Sequence, residues 1–182
     1  MPNYCDYTMR IVGDKKDRDR AVEIIQSDYN GTKDDPVHLW RVFEAIIYDE
    51  DDESTELSGY CAWSVASCML GDIHSYNYDD TTGRGTCLEE ITKMFNLKIE
   101  IFSTESGMCF AEHYIIDNGI IKKYEVNDFY CIECDEYNSY EELLKYISTL
   151  DNNNGNAFVV TKEQYEEEEF IEIGNFDCEF SI

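Results

Sequence analysis

Residues 4–12 (YCDYTMRIV) alternate strictly, with Cys5, Tyr7, Met9 and Ile11 on one side and Asp6, Thr8 and Arg10 on the other. Period-two alternation predicts a half-buried strand. Gly13 ends it, and Asp14 is a good N-cap for a helix running to about Tyr29 with Val22, Ile25 and Tyr29 on its apolar stripe. Asn30-Gly31 stops that helix. Residues 38–48 (HLWRVFEAIIY), rich in aromatic and β-branched side chains, predict a second strand. Residues 49–53 are all acidic and read as a turn or protruding loop, so 56–65 returns as the other half of a hairpin.

From Cys68 to Gly85 the chain reads as loop. Thr86-Cys87-Leu88-Glu89 then has the spacing of a capping box for a helix carrying Leu88, Ile91 and Phe95. Residues 97–102 alternate as a strand, and 108–116 and 120–126 predict a hairpin about Asp117-Asn118-Gly119. Ser139-Tyr140-Glu141-Glu142 and Thr161-Lys162-Glu163-Gln164 are two more capping boxes. A short strand at 157–160 lies between their helices, and Phe176, Phe180 and Ile182 are candidates to dock on the core. The predicted order up to residue 102 is β-α-β-β-α-β. The expected fold class is therefore α+β: a ferredoxin-like core with an added hairpin and an acidic, helical C-terminal extension. The expected division is residues 1–135 for the core and hairpin and 136–182 for the extension.

Charge changes this picture more than composition does. The 182 residues carry a net charge of −26, yet 43% are hydrophobic, enough for a real core. Residues 1–48 are nearly balanced at −2. Residues 49–58 hold six acids and no base, and 133–182 hold fourteen acids against two bases. Such a chain repels nucleic acid and anionic membranes, which reward Lys and Arg, and attracts basic partners. No basic region followed by an apolar run opens the sequence, and no stretch approaches the roughly 20 apolar residues of a membrane helix, so a cytoplasmic chain with reduced thiols is expected.

Candidate chemistry is sparse. Cys131 and Cys134 form a single CxxC pair, where a structural zinc site wants four ligands, and neither His74 nor His113 completes a characteristic spacing. Neither a cofactor nor a metal is expected. Cys109 and His113 would share one face of a strand, too far apart for a thiol and its base. The glycines of Gly83-Arg84-Gly85 precede a helix that opens with acids, unlike a phosphate loop. What remains is the acids, interleaved with tyrosines. The candidate partner-binding residues are Asp49, Glu50, Asp51, Asp52, Glu53, Asp79, Asp80, Glu166, Glu167, Glu168 and Glu169, with Tyr76 and Tyr78. Carboxylates beside aromatic rings suit a surface that meets Arg and Lys while burying apolar area.

Three segments carry a resemblance. Met1-Pro2-Asn3-Tyr4-Cys5 resembles the MPNWC start of a ferredoxin-like family of conjugative plasmids and phages. Gly59-Tyr60-Cys61-Ala62-Trp63-Ser64 resembles that family's "AWS" strand, and the stretch from Ser106-Gly107 through Phe110 to His113-Tyr114 resembles its E-x-G-x-x-F strand pair. The resemblance implies fold and mobile-element origin, not activity; the prolines expected after Ser64 are missing. In length, acidity and Tyr-rich strands the chain also resembles type II anti-CRISPR proteins. That implies an inhibitor, not an enzyme, whose partner is a basic nucleic-acid-binding protein: the type II CRISPR nuclease, alone or with guide RNA. Other readings stay open at this point. One is an antirestriction DNA mimic, another a small thiol- or metal-dependent enzyme on Cys131, Cys134 and His113, and a third a structural protein of the element.

Overall fold

The computed structural model describes residues 3–27, 39–71, 86–150, 158–174 and 179–182. Among them the elements are β1 (Tyr4–Val12), α1 (Lys15–Ile25), β2 (Val42–Glu50), β3 (Ser54–Ala62), α2 (Val65–Met69), α3 (Leu88–Phe95), β4 (Lys98–Glu105), β5 (Phe110–Asp117), β6 (Ile120–Glu133), a 3-10 turn (Cys134–Glu136), α4 (Tyr140–Ile147), α5 (Lys162–Glu167) and β7 (Phe170–Gly174). The seven strands form one curled antiparallel sheet in the order β2-β3-β1-β4-β5-β6-β7. The protein is a mixed α+β fold.

Alternation in β1 places Cys5, Tyr7, Met9 and Ile11 in a core shared with Leu57 of β3, Ile99 and Ile101 of β4, and the stripes of α1 and α3. Residues 4–12 and 97–102 are expected in one sheet, and β1 and β4 are indeed neighbours, with Arg10 opposite Glu100. A second cluster, Ile132, Cys134, Leu143, Ile147, Val160, Ile171 and Ile173, gives α4, α5 and β7 an apolar interior of their own.

Several boundaries differ from the sequence expectation. Asp14 caps α1 through the Lys16 amide (3.0 Å), but the helix ends at Ile25, short of Tyr29. Strand β3 stops at Ala62, and Val65–Met69 is helix rather than strand and loop. Ser64 is the reason: its hydroxyl accepts from the Ser67 amide (3.0 Å), and Val65, Cys68 and Met69 then fall at helical spacing on the core. Thr86 forms no capping box. Cys87 is the N-cap, and the Thr86 hydroxyl turns instead to Glu90 (2.9 Å). The box at Ser139 is half formed, because Glu142 accepts from the Asn138 amide. The box at Thr161 and Gln164 is complete. Residues 158–160 are not a strand; the Tyr140 hydroxyl donates to the Val160 carbonyl (2.6 Å). The strand of this region is β7.

Close approach at Gly59 fixes the edge strand. A Cβ there would lie 1.9 Å from the Glu44 carbonyl oxygen, which also accepts from the Tyr7 hydroxyl (2.8 Å). Gly59→Ala must push β2 away from β3. The expected loss is at least about 1–3 kcal/mol of stability, checked by urea unfolding.

The three segments that carry the family resemblance meet at one corner. The Trp63 amide donates to the Asn3 carbonyl (2.9 Å). The buried Glu105 carboxylate accepts from the amides of Gly107 (3.2 Å) and Met108, closing the β4–β5 turn. A side chain at Gly107 would meet both Asn3 and Glu105. These motif residues build the corner itself.

Candidate partner-binding surfaces

The acidic turn is half architecture. Arg18, fully buried on α1, reaches under it and donates to the carbonyls of Asp51 (2.9 Å) and Asp52 (3.1 Å) and to the Thr55 hydroxyl (3.0 Å). Asp51 accepts from the amides of Ser54 (2.6 Å) and Glu53 (2.8 Å), which hold its carboxyl below the usual range. Glu50 pairs with Lys15 at 2.8 Å and is lowered by it. Asp49 and Glu50 belong to β2 rather than to a loop; Asp49, Asp52 and Glu53 are exposed.

Asp79, Asp80, Tyr76 and Tyr78 lie outside the described residues, as do His74, Cys178 and Phe176. Glu166 to Glu169 are exposed at the end of α5 and the entry to β7. Glu166 pairs with Lys162 (3.0 Å), and the Glu169 carbonyl accepts from the Cys134 amide (2.9 Å).

That last bond brings together two acidic runs distant in sequence. Pairing of β6 with β7 sets Glu133 opposite Phe170, so Glu168 and Glu169 arrive beside Glu133, Asp135 and Glu136. Asp135 above all, then desolvation, Glu136 and Glu169, hold the exposed Glu133 carboxyl above its ordinary range. Beside them is a recess of about 330 Å³ lined by Gly107, Cys131, Glu133, Glu136, Tyr137, Tyr146 and Phe170. Tyr137 and Tyr146 lie with ring centroids 5.4 Å apart, and Phe170 and Tyr146 are 47% and 40% exposed. On this shelf crowded carboxylates and exposed rings meet. The sequence reading includes Glu168 and Glu169 but misses Glu133, Asp135, Glu136, Tyr146 and Phe170. The signal for them was the charge of 133–182, masked by reading 131–134 as a thiol motif.

The thiols carry structure. Cys5, Cys61 and Cys68 are buried together; Cys68 donates to the Ala62 carbonyl (2.7 Å), and hydrogen bonds with Cys5 and Cys68, then burial, push the Cys61 thiol up. Cys131 is exposed on β6 and Cys134 is buried in the second core; both thiols are raised, first by burial and then by neighbouring acids. Cys109 sits with φ of 58° in the turn before β5, not on the strand with His113. His113 is buried, stacked on Phe102 (4.1 Å) and bonded to Glu100 (2.7 Å). Among the described residues no group of three or more His, Cys, Asp or Glu is arranged to hold a metal ion, and no helix is long and apolar enough to cross a membrane. The Arg41 guanidinium sits over the rings of Trp40 (4.8 Å) and Trp63 (4.5 Å), beside the corner where the Trp63 amide meets Asn3.

No protein-family model, curated protein or solved structure matches the chain.

Proposed function

We propose that the protein is an inhibitor carried by a mobile element, acting in the bacterial host cytoplasm. Its target is the type II CRISPR nuclease, alone or with guide RNA, and it binds through the acidic–aromatic shelf without touching nucleic acid itself. One observation carries the reading: the β6–β7 pairing brings Glu168 and Glu169 beside Glu133, Asp135 and Glu136, next to exposed Tyr146 and Phe170. A guanidinium or ammonium group relieves the repulsion among these acids, and the rings add apolar contact to each ion pair. A nuclease groove built for phosphates offers such cations. The net charge of −26 supports rapid encounter with a surface of that sign.

On fold, the spatial order β4-β1-β3-β2, with α1 and α3 in the same core, supports a ferredoxin-like unit extended by β5, β6 and β7. The second apolar cluster supports 136–182 as an appended unit packed on β6.

The test is direct. Purified protein added in excess to the nuclease–guide complex should cut the rate of target-DNA cleavage at least about tenfold at low salt. An unchanged rate, with no complex on gel filtration, rules the reading out.

A further inference from the structure

The sheet face away from α1 and α3 holds two features end to end. The first is a groove of about 440 Å³ lined by Asp6, Glu44 and Glu172, with Tyr60 and Phe102; no Lys or Arg is among the described lining residues. Glu172 comes from β7 and Glu44 from β2, so the curl of the sheet brings opposite edges to one cavity.

The second feature is a clamp, and it is occupied. Glu100, two residues along β4 from Phe102, is fully buried. Its carboxylate accepts from two consecutive amides, Ser181 (2.7 Å) and Ile182 (3.1 Å), and from the Ser181 hydroxyl (2.9 Å). The Arg10 guanidinium donates to the Ile182 carbonyl (3.0 Å) and lies 4.8 Å from the Phe180 ring centroid. Phe180 packs on Phe102 at 5.4 Å. Burial raises the Glu100 carboxyl, but the Ser181 amide, His113 and the Ser181 hydroxyl outweigh it, so the group stays charged. Residues 179–182 join no strand ladder. The segment is held as a ligand is held: backbone donors on a buried anion, a carbonyl and a ring on a guanidinium.

Direction matters. Phe180 sits at Phe102, which also lines the groove, while Ser181 and Ile182 lie beyond it at Glu100. The residue before the aromatic therefore arrives from the groove side. In this chain that residue is an acid, Glu179, whereas the groove is itself lined by acids.

We propose that Arg10, Glu100, Phe102 and the groove form one peptide-binding site, whose ligand in trans is an extended basic–aromatic–Ser–aliphatic segment of a partner, with residues 180–182 as the occupant it displaces. The basic flank rests on the reading of a basic partner given above; the clamp does not. A tethered occupant competes at an effective concentration on the order of millimolar, so the native chain binds such a segment weakly.

The probe is a fluorescein-labelled peptide with two lysines before a Phe-Ser-Ile core, followed by polarisation. A variant carrying Phe180→Gly and Ser181→Pro, which removes the ring and one donated amide, should bind it at least about tenfold more tightly than the native chain. The same peptide N-methylated at its Ser and Ile amides should lose that gain; this control leaves the protein unaltered, so misfolding cannot imitate it. Replacing the two lysines by glutamates should weaken binding at least about tenfold. No binding to the variant, or equal binding of the N-methylated peptide, overturns the clamp. Equal binding of the Lys and Glu peptides overturns the groove's part in it. A dimer of native chains that the peptide cannot dissociate makes a second copy the occupant and also overturns the proposal. No nuclease is present in the assay, so its failure and that of the inhibitor reading are read separately.

Discussion

Replacing Glu133, Glu136, Glu168 and Glu169 by Gln and Asp135 by Asn in one variant should weaken binding to the nuclease by roughly ten- to a thousandfold at low salt. Exposed ion pairs each contribute little, so single substitutions are expected to be nearly silent and the block to be visible. Most of the change should fall in the association rate, which opposite fields raise by about 10- to 1000-fold. The difference between variant and native chain should shrink as salt rises, because exposed charges are screened beyond about 10 Å at 0.1 M. The folded state should not suffer. Asp135 and its neighbours hold Glu133 above its ordinary range, so the fold opposes its ionised form, and that penalty is relieved as pH falls and the carboxyl protonates. The block variant should therefore melt no lower than the native protein at neutral pH. A variant that binds as well as the native chain removes the shelf from the mechanism; Trp40, beside Arg41 and Trp63, is then the next surface to change.

The largest loss of stability is expected from Glu112→Ala, roughly 3–5 kcal/mol in urea unfolding. Glu112 is buried on β5 and satisfies three buried donors at once: the Val65 amide that opens α2 (2.8 Å), the Ser103 hydroxyl (3.0 Å) and the Tyr114 hydroxyl (2.9 Å). Removing it leaves each of them desolvated without a partner, and such a group costs about 1–3 kcal/mol. Glu112→Gln keeps the size and one acceptor and should lose clearly less. Equal, small losses for both would mean that water replaces the carboxylate and that α2 is not anchored through it.

Glu112 also shows where sequence reading stops. A strand residue in an acidic chain reads as surface, yet Glu56, Glu100, Glu105 and Glu112 are all buried, each with donors around it. Glu105 finds its donors locally, at Gly107 and Met108, but most donors to the others come from distant residues, up to 82 positions away for Glu100, so sequence alone does not separate them from surface acids. What was legible was periodic, as in β1, β4 and the α3 stripe, or short-range, as in the turn at Asn118-Gly119 and the box at Thr161. Short elements were not. Five residues of α2 hold too little pattern to outweigh the strand before them, and β7 follows a run of four glutamates that reads as solvated helix. The acidic turn was found by its charge, but not the division of labour within it. Asp51 bonds the amides of Glu53 and Ser54, Glu50 pairs with Lys15, and Arg18, thirty-odd residues upstream, holds the turn by the carbonyls of Asp51 and Asp52. The shelf was half legible for the same reason. Glu168 and Glu169 stood out as a run, whereas Glu133, Asp135 and Glu136 join them only through the β6–β7 pairing.

Hydrogen exchange of the protein with and without the type II nuclease–guide complex tests the central claim most directly, since it reports where contact is made without altering a residue. The account predicts slowed exchange over residues 130–146 and 168–172, fading as salt is raised, with α1 and α3 unchanged. Slowing confined to α1 and α3, or an exchange pattern identical in the presence of the nuclease, would contradict it.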